Sequence, residues 1–487
     1  MFKTLRILLF ISALLFILFP FLVSSADLAT YLWPARSTDH AFIQQQQSIL
    51  YLVNIFAWLT GAILILCGIY IQQLHDLYFR TLQQIDQMNY RNWTYGIIII
   101  ALMLRVLWII FIPTLPSSDP AEYLALGFSL AESHSYISDY RAVGYPFFLS
   151  VLFTLFGPYA ILGLMANLIF TLLIIYLSMR IVVYLTGSEF AAKIASIFMA
   201  LFPDFIASSS VFAVEPLFTT LLLSGFILII EDKCKKARFA ILVGVLFSFA
   251  AFVKPLFVAS FVIPPVIMYF IKYSKTDIIK SSVIITITMI LIISPWTIRN
   301  YKVMDEFVPI APLAGTNLYM GNNPDATGGY YHYDHSVVEH IESRAKKDKV
   351  LVKEALKYIV ENPGKFLAMM PYKLYLTYYR DSSMIDWSLQ ETSKPVSSII
   401  KPVITIINEI IYHIILIMAL VYIAIMLKNR RFREPVFITS MVVISYLSAF
   451  PAVFMGIPRL HYPMMPMIFI FAALLIQLIY KNRKTSN

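Results

Sequence analysis

Long apolar runs separated by short polar loops dominate this chain. A membrane-crossing helix needs about 20 mainly apolar residues. About twelve segments qualify, at roughly 7–24, 49–71, 95–113, 159–182, 190–206, 213–230, 239–255, 256–271, 281–297, 404–427, 435–454 and 463–480. The apolar stretch 144–158 is shorter and carries Pro146 and Pro158, which predicts an interfacial helix. The pattern changes over 298–403. Turn-forming Gly321-Asn322-Asn323-Pro324 and Gly328-Gly329 come first, then a helical pattern from about Val337 to Glu361, stopped by Asn362-Pro363-Gly364. A second helical stretch, Phe366 to Arg380, carries Tyr372, Tyr375, Tyr378 and Tyr379, which suit a membrane interface. The expected fold is an all-α polytopic membrane protein. Its parts are two N-terminal helices (1–94), a transmembrane core with a polar loop at 114–145 (95–297), a small extramembrane domain (298–403) and C-terminal helices (404–487).

Composition agrees. Of 487 residues, 59% are hydrophobic and 14% charged, against about half and about a quarter in a soluble domain. An ordinary cytosolic enzyme and a disordered chain are both excluded. The net charge of +10 marks cytoplasmic loops and lipid head groups rather than nucleic acid. Basic residues concentrate in the loops holding Lys233, Lys235, Lys236 and Arg238, then Lys272, Lys275 and Lys280, then Lys428, Arg430, Arg431 and Arg433, and in the tail with Lys481, Arg483 and Lys484. If the spans alternate, these share one side, which places both termini in the cytoplasm and loops 114–145, 298–403 and 455–462 outside. The opposing loops hold few charges, such as Arg36, Arg141 and Arg459. Lys3 and Arg6 precede an apolar run ending in Ser24-Ser25-Ala26, a pattern shared by cleaved signal peptides and uncleaved anchors. The run is long for a signal core, which favours the anchor. Cys67 and Cys234 are too few for a disulfide framework or a metal cluster.

Several ionisable residues stand at the outer ends of spans. Asp119, in Ser117-Ser118-Asp119-Pro120, follows a span directly. It fits a helix N-cap; it also fits a general base whose pKa is raised by desolvation. Glu122, three residues on, fits a capping box. Glu215 before Pro216 fits a favourable charge at a helix start, or a site carboxylate. Lys254 before Pro255 either snorkels to the interface or serves a site at membrane depth. Arg299 fits a cation at a helix C-terminus, or a ligand contact. Arg459 runs against the charge bias of its side and needs an anionic partner, either a structural carboxylate or a ligand phosphate. One acid among several cations suits a reaction in which a phosphate leaves and a hydroxyl loses a proton. His332, His335 and His340 lack metal-ligand spacing, and no Gly-rich nucleotide loop or G-x-S-x-G is present.

Three segments carry a resemblance: Asp119 with Glu122-Tyr123, then Tyr145-Pro146; Pro295-Trp296-Thr297-Ile298-Arg299-Asn300-Tyr301 leading to Gly321-Asn322-Asn323-Pro324; and Arg459-Leu460-His461-Tyr462-Pro463-Met464-Met465-Pro466. In order and placement, over about 95–480, they resemble the GT-C superfamily of polytopic glycosyltransferases. Within it they are similar to the branch containing the protein O-mannosyltransferases and the lipid A aminoarabinose transferase, and the second segment resembles bacterial members of glycosyltransferase family 39. The resemblance implies an inverting transfer from a polyprenyl-phosphate sugar to an envelope lipid, glycan or protein on the outer face. Asp119 would be the general base and Glu122 its support. Lys254, Arg299 and Arg459 would hold the lipid phosphate. Tyr123, Arg141, Tyr145 and Glu215 would contact substrate, as would Asn300, Asn322 and Asn323, and His461 with Tyr462. Segment 298–403 would cover the site. Some members of the wider superfamily use a divalent cation; outer carboxylates are sparse here, and that cofactor stays open. The chain departs from the mannosyltransferases in having Pro120 rather than an acid after Asp119, and in its two additional N-terminal spans. A polyprenyl-lipid or polysaccharide transporter is the alternative reading and predicts a charged path through the bilayer midplane. Lys193 is the deepest ionisable residue of the pattern. A structural or assembly protein would tolerate loss of Asp119 or Arg459.

Overall fold

The computed structural model describes residues 2–22 and 47–486, so Ser24-Ser25-Ala26 and Arg36 lie outside the described residues. Those residues form two compact units, Met1–Met88 and Asn89–Asn487. The first holds α1 (Phe2–Leu22), α2 (Gln47–Ile69) and α3 (Ile71–Gln87). In it α1 and α2 pack side by side, and Trp58 Nε1 donates to the Ile17 carbonyl at 3.2 Å.

The second unit is all-helical among its described residues, apart from one isolated bridge between Thr114 and Thr392. It runs through α4 (Tyr90–Phe111), α5 (Ser118–Ser133), α6 (Gly144–Phe156), α7 (Ile161–Thr186), α8 (Glu189–Leu201), α9 (Pro203–Ala207), α10 (Val214–Ile230), α11 (Ala237–Val253), α12 (Ile263–Phe270) and α13 (Lys275–Met304). There follow α14 (Ala314–Gly321), α15 (Arg344–Glu361), α16 (Pro363–Tyr378), α17 (Ser383–Ser388), α18 (Ile400–Lys428), α19 (Pro435–Val453) and α20 (Met465–Ser486). Among the described residues six helices are long and apolar enough to cross a membrane, or up to eight if two bent pairs each count as one span. The chain is therefore an integral membrane protein. The stretch ending in α20 lies at the centre, 83% buried within the protein, whereas α4 is 17% buried and peripheral.

Proline sets several departures from simple spans. The expected span 256–271 is a 3-10 stretch, Pro255–Val262, running into the eight-residue α12. Pro255, Pro264 and Pro265 each remove a backbone donor there. The expected span 190–206 is bent by 62° between α8 and the Pro203–Ser210 segment. The last carbonyls of α8 lack intrahelical partners at this break. Arg105, fully buried on α4, donates to Met199 O at 3.2 Å and Ala200 O at 3.3 Å, and to Thr171 Oγ1 at 2.9 Å. Arg105→Met is expected to destabilise the protein by about 1–3 kcal/mol through those orphaned acceptors, read as a lower thermal midpoint in detergent. By contrast, α13 continues through Pro295 to Met304, so Arg299 sits inside this helix rather than at its end.

Segment 298–403 builds a small core in which Met320, Tyr333, Val338 and Leu351 pack with Met455. Two backbone bonds tie it to the start of the Asp119 loop: Leu115 N donates to Glu391 O at 2.8 Å and Ser393 N to Pro113 O at 2.9 Å. A close approach joins α6 to the end of α11. A Cβ on Gly144 would lie 2.4 Å from backbone atoms of Phe252 and Val253. Gly144→Ala should cost about 1–3 kcal/mol by overpacking and shift Lys254, detectable as lost thermal stability.

Candidate active site

Asp119 lies in the first turn of α5, after Ser118 at φ +52°. That left-handed backbone costs a non-glycine residue about 1–2 kcal/mol. The Asp119 carboxylate caps no backbone donor. Its Oδ1 accepts from Arg141 Nη2 at 2.6 Å, and its Oδ2 accepts from Arg459 Nη1 at 2.5 Å. Glu122 does not close a capping box either; its Oε2 accepts from Arg141 Nε at 2.7 Å. Spacing three apart on α5 puts both carboxylates on one face, where one guanidinium bridges them. Arg141 also covers the ring of Tyr123 at 5.5 Å, and Arg459 covers that of Trp387 at 5.2 Å.

Burial pushes the Asp119 carboxyl upward, but the guanidiniums of Arg459 and Arg141 outweigh it and hold the group below its usual value of 3.8. This reverses the direction that desolvation alone would give. Tyr123 is pushed up to about 12 by burial first and then by the Asp119 charge, so its phenol stays protonated at neutral pH.

Arg459 faces two ways. It holds Asp119, and it lines a cavity of about 380 Å³ together with Tyr123, Glu215 and Lys254. The remaining wall is mainly apolar, including Val214, Val253, Leu256, Phe450 and Phe454. Glu215 is 2% exposed, in the first turn of α10, and Lys254 is 7% exposed, just past α11. Lys254 Nζ donates to Glu215 Oε1 at 2.9 Å, while Glu215 Oε2 has no hydrogen-bond partner among the described residues. The structure thus brings together Asp119, Glu122, Tyr123, Arg141, Glu215, Lys254 and Arg459.

The other predicted residues hold the surrounding frame. Arg299 donates to the Tyr136 carbonyl at 2.8 Å and stacks over Trp296, and it is not among the residues lining the cavity. Asn300 Nδ2 donates to Val308 O and Ile310 O, each at 3.0 Å. Asn322 donates to Leu318 O and Val453 O, and its Oδ1 accepts from buried Lys373 at 2.9 Å. Asn323 Oδ1 accepts from Tyr331 at 2.7 Å. Tyr145 is buried and reaches Asn167 at 3.3 Å. Tyr462 bonds Ser208 at 2.9 Å and stacks on Phe205. His461 is fully buried between Tyr378 and Tyr412, with Nδ1 2.6 Å from Thr377 O and Nε2 3.3 Å from Asp381 Oδ1.

Sequence reasoning missed Arg105, Lys373 and the buried carboxylates Asp204 and Asp381. An arginine inside the apolar run of α4 was the readable signal for the first. Asp204 Oδ1 accepts from Met384 N at 2.9 Å and Ile385 N at 3.1 Å, so it anchors α17 across 180 residues of sequence. Among the described residues no group of three or more His, Cys, Asp or Glu side chains is placed to hold a metal ion, so no step is assigned to one.

No family model matches the chain, and no curated protein matches it. Among solved structures it is similar to the archaeal oligosaccharyltransferase AglB from Archaeoglobus fulgidus, in complex with an inhibitory peptide and a dolichol-phosphate. The TM-score is 0.47 at 12% identity, over 80% of this chain and 51% of that one. The chain thus spans about half the length of that structure.

Proposed function

We propose that the protein is a membrane glycosyltransferase that moves a sugar from a polyprenyl-phosphate donor to a hydroxyl of an envelope acceptor, on the outer face and with inversion. The observation that carries this reading is the double engagement of Arg459, on the Asp119 carboxylate and on the wall of an apolar cavity that also holds Lys254. Apolar walls suit the prenyl chain. Arg459 and Lys254 suit the phosphate, with arginine offering paired donors to its oxygens.

In this scheme the donor phosphate competes with Asp119 for Arg459. Once Arg459 turns to the phosphate, Asp119 Oδ2 is released and loses one of the two charges that depress its proton affinity. The acceptor oxygen attacks the anomeric carbon as the bond from that carbon to the phosphate oxygen breaks. The electron pair goes to the phosphate, and the hydroxyl proton goes to Asp119. Charge growing on the phosphate is met by preorganised cations in a poorly hydrated pocket, and the sugar passes through an oxocarbenium-like state. Glu122 positions Arg141, which keeps hold of Asp119 Oδ1. Arg299 serves as a positioning residue through the Tyr136 carbonyl.

The direct test is reconstitution of purified protein in liposomes with a panel of polyprenyl-monophosphate sugars, reading loss of donor and gain of free polyprenyl phosphate. Arg459→Lys is expected to slow the reaction by about 10-fold or more, since one point charge replaces a fork. No turnover of any donor in the panel, with wild-type protein shown to bind it, would count against the reading.

The depressed Asp119 pKa also sets a pH dependence. A carboxyl lowered on folding contributes stability that is full above its unfolded value and is lost as pH falls through the folded one. The thermal midpoint of wild type minus that of Asp119→Asn should therefore be constant above about pH 4 and shrink below it, measured by melts in detergent. A difference that shrinks already between pH 7 and 5 would contradict the guanidinium clamp.

A further inference from the structure

The cavity beside Arg459 carries a polar group that the transfer scheme leaves unused. Asn317 lines it, half-buried, and its side-chain amide has no hydrogen-bond partner among the described residues. It comes from segment 298–403, through α14. Ala314 and Asn317, three apart, share the face of α14 that lines the cavity. The rear of α14 is clamped to α15. A Cβ on Gly315 would lie 1.9 Å from the Asp348 carbonyl oxygen, and Thr316 N donates to Asp348 Oδ1 at 3.1 Å. That clamp fixes which α14 side chains meet the cavity. Asn322 and Asn323, at the end of the same helix, are committed to internal partners instead.

A ligand that fills the cavity displaces the water serving this amide, and a polar group left unpaired in the complex is costly. A polyprenyl-phosphate sugar has three parts. The prenyl chain has no polar group. The phosphodiester accepts hydrogen bonds and donates none, and Arg459 and Lys254 meet it. The sugar alone carries hydroxyls, which donate and accept, as an amide does. A second observation asks for the same partner. Glu215 Oε2 is buried on the wall side without a hydrogen-bond partner among the described residues, and Oε1 has only Lys254. When Lys254 turns to the phosphate, this carboxylate needs a donor, and buried acceptors are nearly always paired. It also puts a negative charge beside the sugar.

Resting on the reading of this cavity as the donor site, we infer that Asn317 hydrogen-bonds a ring hydroxyl of the transferred sugar and sets which sugar is accepted. The sugar is a neutral one with a free hydroxyl at that place, because a carboxylated sugar would bring a second anion up to Glu215. Segment 298–403 then selects the donor as well as covering it.

The experiment compares undecaprenyl-monophosphate glucose, galactose and mannose, their deoxy forms at each ring position, and glucuronic acid on the same carrier. The full chain is used as wild type, Asn317→Ala and Asn317→Ser. Donor binding is read by native mass spectrometry in detergent, and turnover in liposomes. Wild type should bind one deoxy form of its preferred sugar about 3–10-fold more weakly than the parent, the range of one neutral hydrogen bond. Asn317→Ala should lose that factor on the parent and bind the two sugars equally. Asn317→Ser keeps a hydroxyl at shorter reach and should restore part of the preference. The Asn317 amide holds nothing inside the protein, so both variants should melt near wild type. A loss in Asn317→Ala that is equal for the parent and every deoxy form would place the amide on the phosphate and overturn the inference. So would unchanged binding of every donor. Glucuronic acid bound as tightly as glucose would overturn the neutral sugar. Turnover separates this contact from the wider reading. Discrimination that follows Asn317 in binding, with no donor turned over, keeps the sugar contact and removes the transferase. Turnover with discrimination untouched by Asn317 does the reverse.

Discussion

Asp119→Asn is expected to slow transfer by about 10²–10⁴-fold, the range that a positioned general base supplies, with donor binding retained. The asparagine keeps the size of the side chain and one acceptor oxygen, but it cannot take a proton. Arg459 and Arg141 both bond this carboxylate now, so the substitution also frees Arg459 to meet a phosphate. Donor affinity should therefore hold or improve while the turnover number collapses. A purely structural carboxylate would behave differently, because losing it would weaken donor binding as well as stability. Asp119→Glu should recover part of the rate, since it restores a base at the wrong reach. Single-turnover measurements at saturating donor separate the two cases, because they report the chemical step without product release.

The largest loss of stability is expected from breaking the Glu215–Lys254 pair. Both groups are buried, and they meet at 2.9 Å. Removing one member of a buried ion pair leaves an uncompensated charge and costs about 3–5 kcal/mol. Lys254→Met should do this, and Glu215→Gln with Lys254→Met should regain most of the stability. The double variant then folds without the cavity's lysine. It should melt near wild type and still transfer poorly, because the phosphate has lost one of its two proposed cations. A double variant with wild-type turnover would remove Lys254 from the phosphate site. One that melts no higher than Lys254→Met would show that the pair is not the source of the cost.

Much of this was readable from short-range pattern. The apolar runs mark the long helices, Pro146 and the brevity of 144–158 mark α6 as a helix shorter than the spans, and the Asn362-Pro363 stop falls at the junction of α15 and α16. The cluster around Asp119 was legible because a carboxylate directly after an apolar run and an arginine placed against the charge bias both call for a partner. What the pattern could not carry was pairing across distance. Arg459 lies 340 residues from Asp119, and nothing local says that they touch. The sign of the Asp119 shift followed from that pairing, so burial alone pointed the wrong way. His461, Asn300 and Asn322 read as polar groups in motif loops, yet their partners are internal: backbone carbonyls for all three, with Asp381 beside His461 and Lys373 on Asn322. A polar residue beside a site and one that frames it have the same local sequence signature. Arg105 was the reverse case, a charge in an apolar run whose structural role at the α8 break depends on a bend that only the packed bundle reveals.

The most direct measurement is mass spectrometry of envelope lipids from cells carrying the wild-type protein, a deletion, or Asp119→Asn, with an impermeant reagent reporting the leaflet. Transfer blocked after the donor has reached the outer face predicts that deletion and Asp119→Asn accumulate the same polyprenyl-monophosphate sugar in the outer leaflet, and the lipid that builds up names the sugar. If Asp119→Asn matches wild type, the assignment of the base is contradicted. If the lipid accumulates in the inner leaflet alone, the protein moves lipid rather than sugar, and the glycosyltransferase account fails.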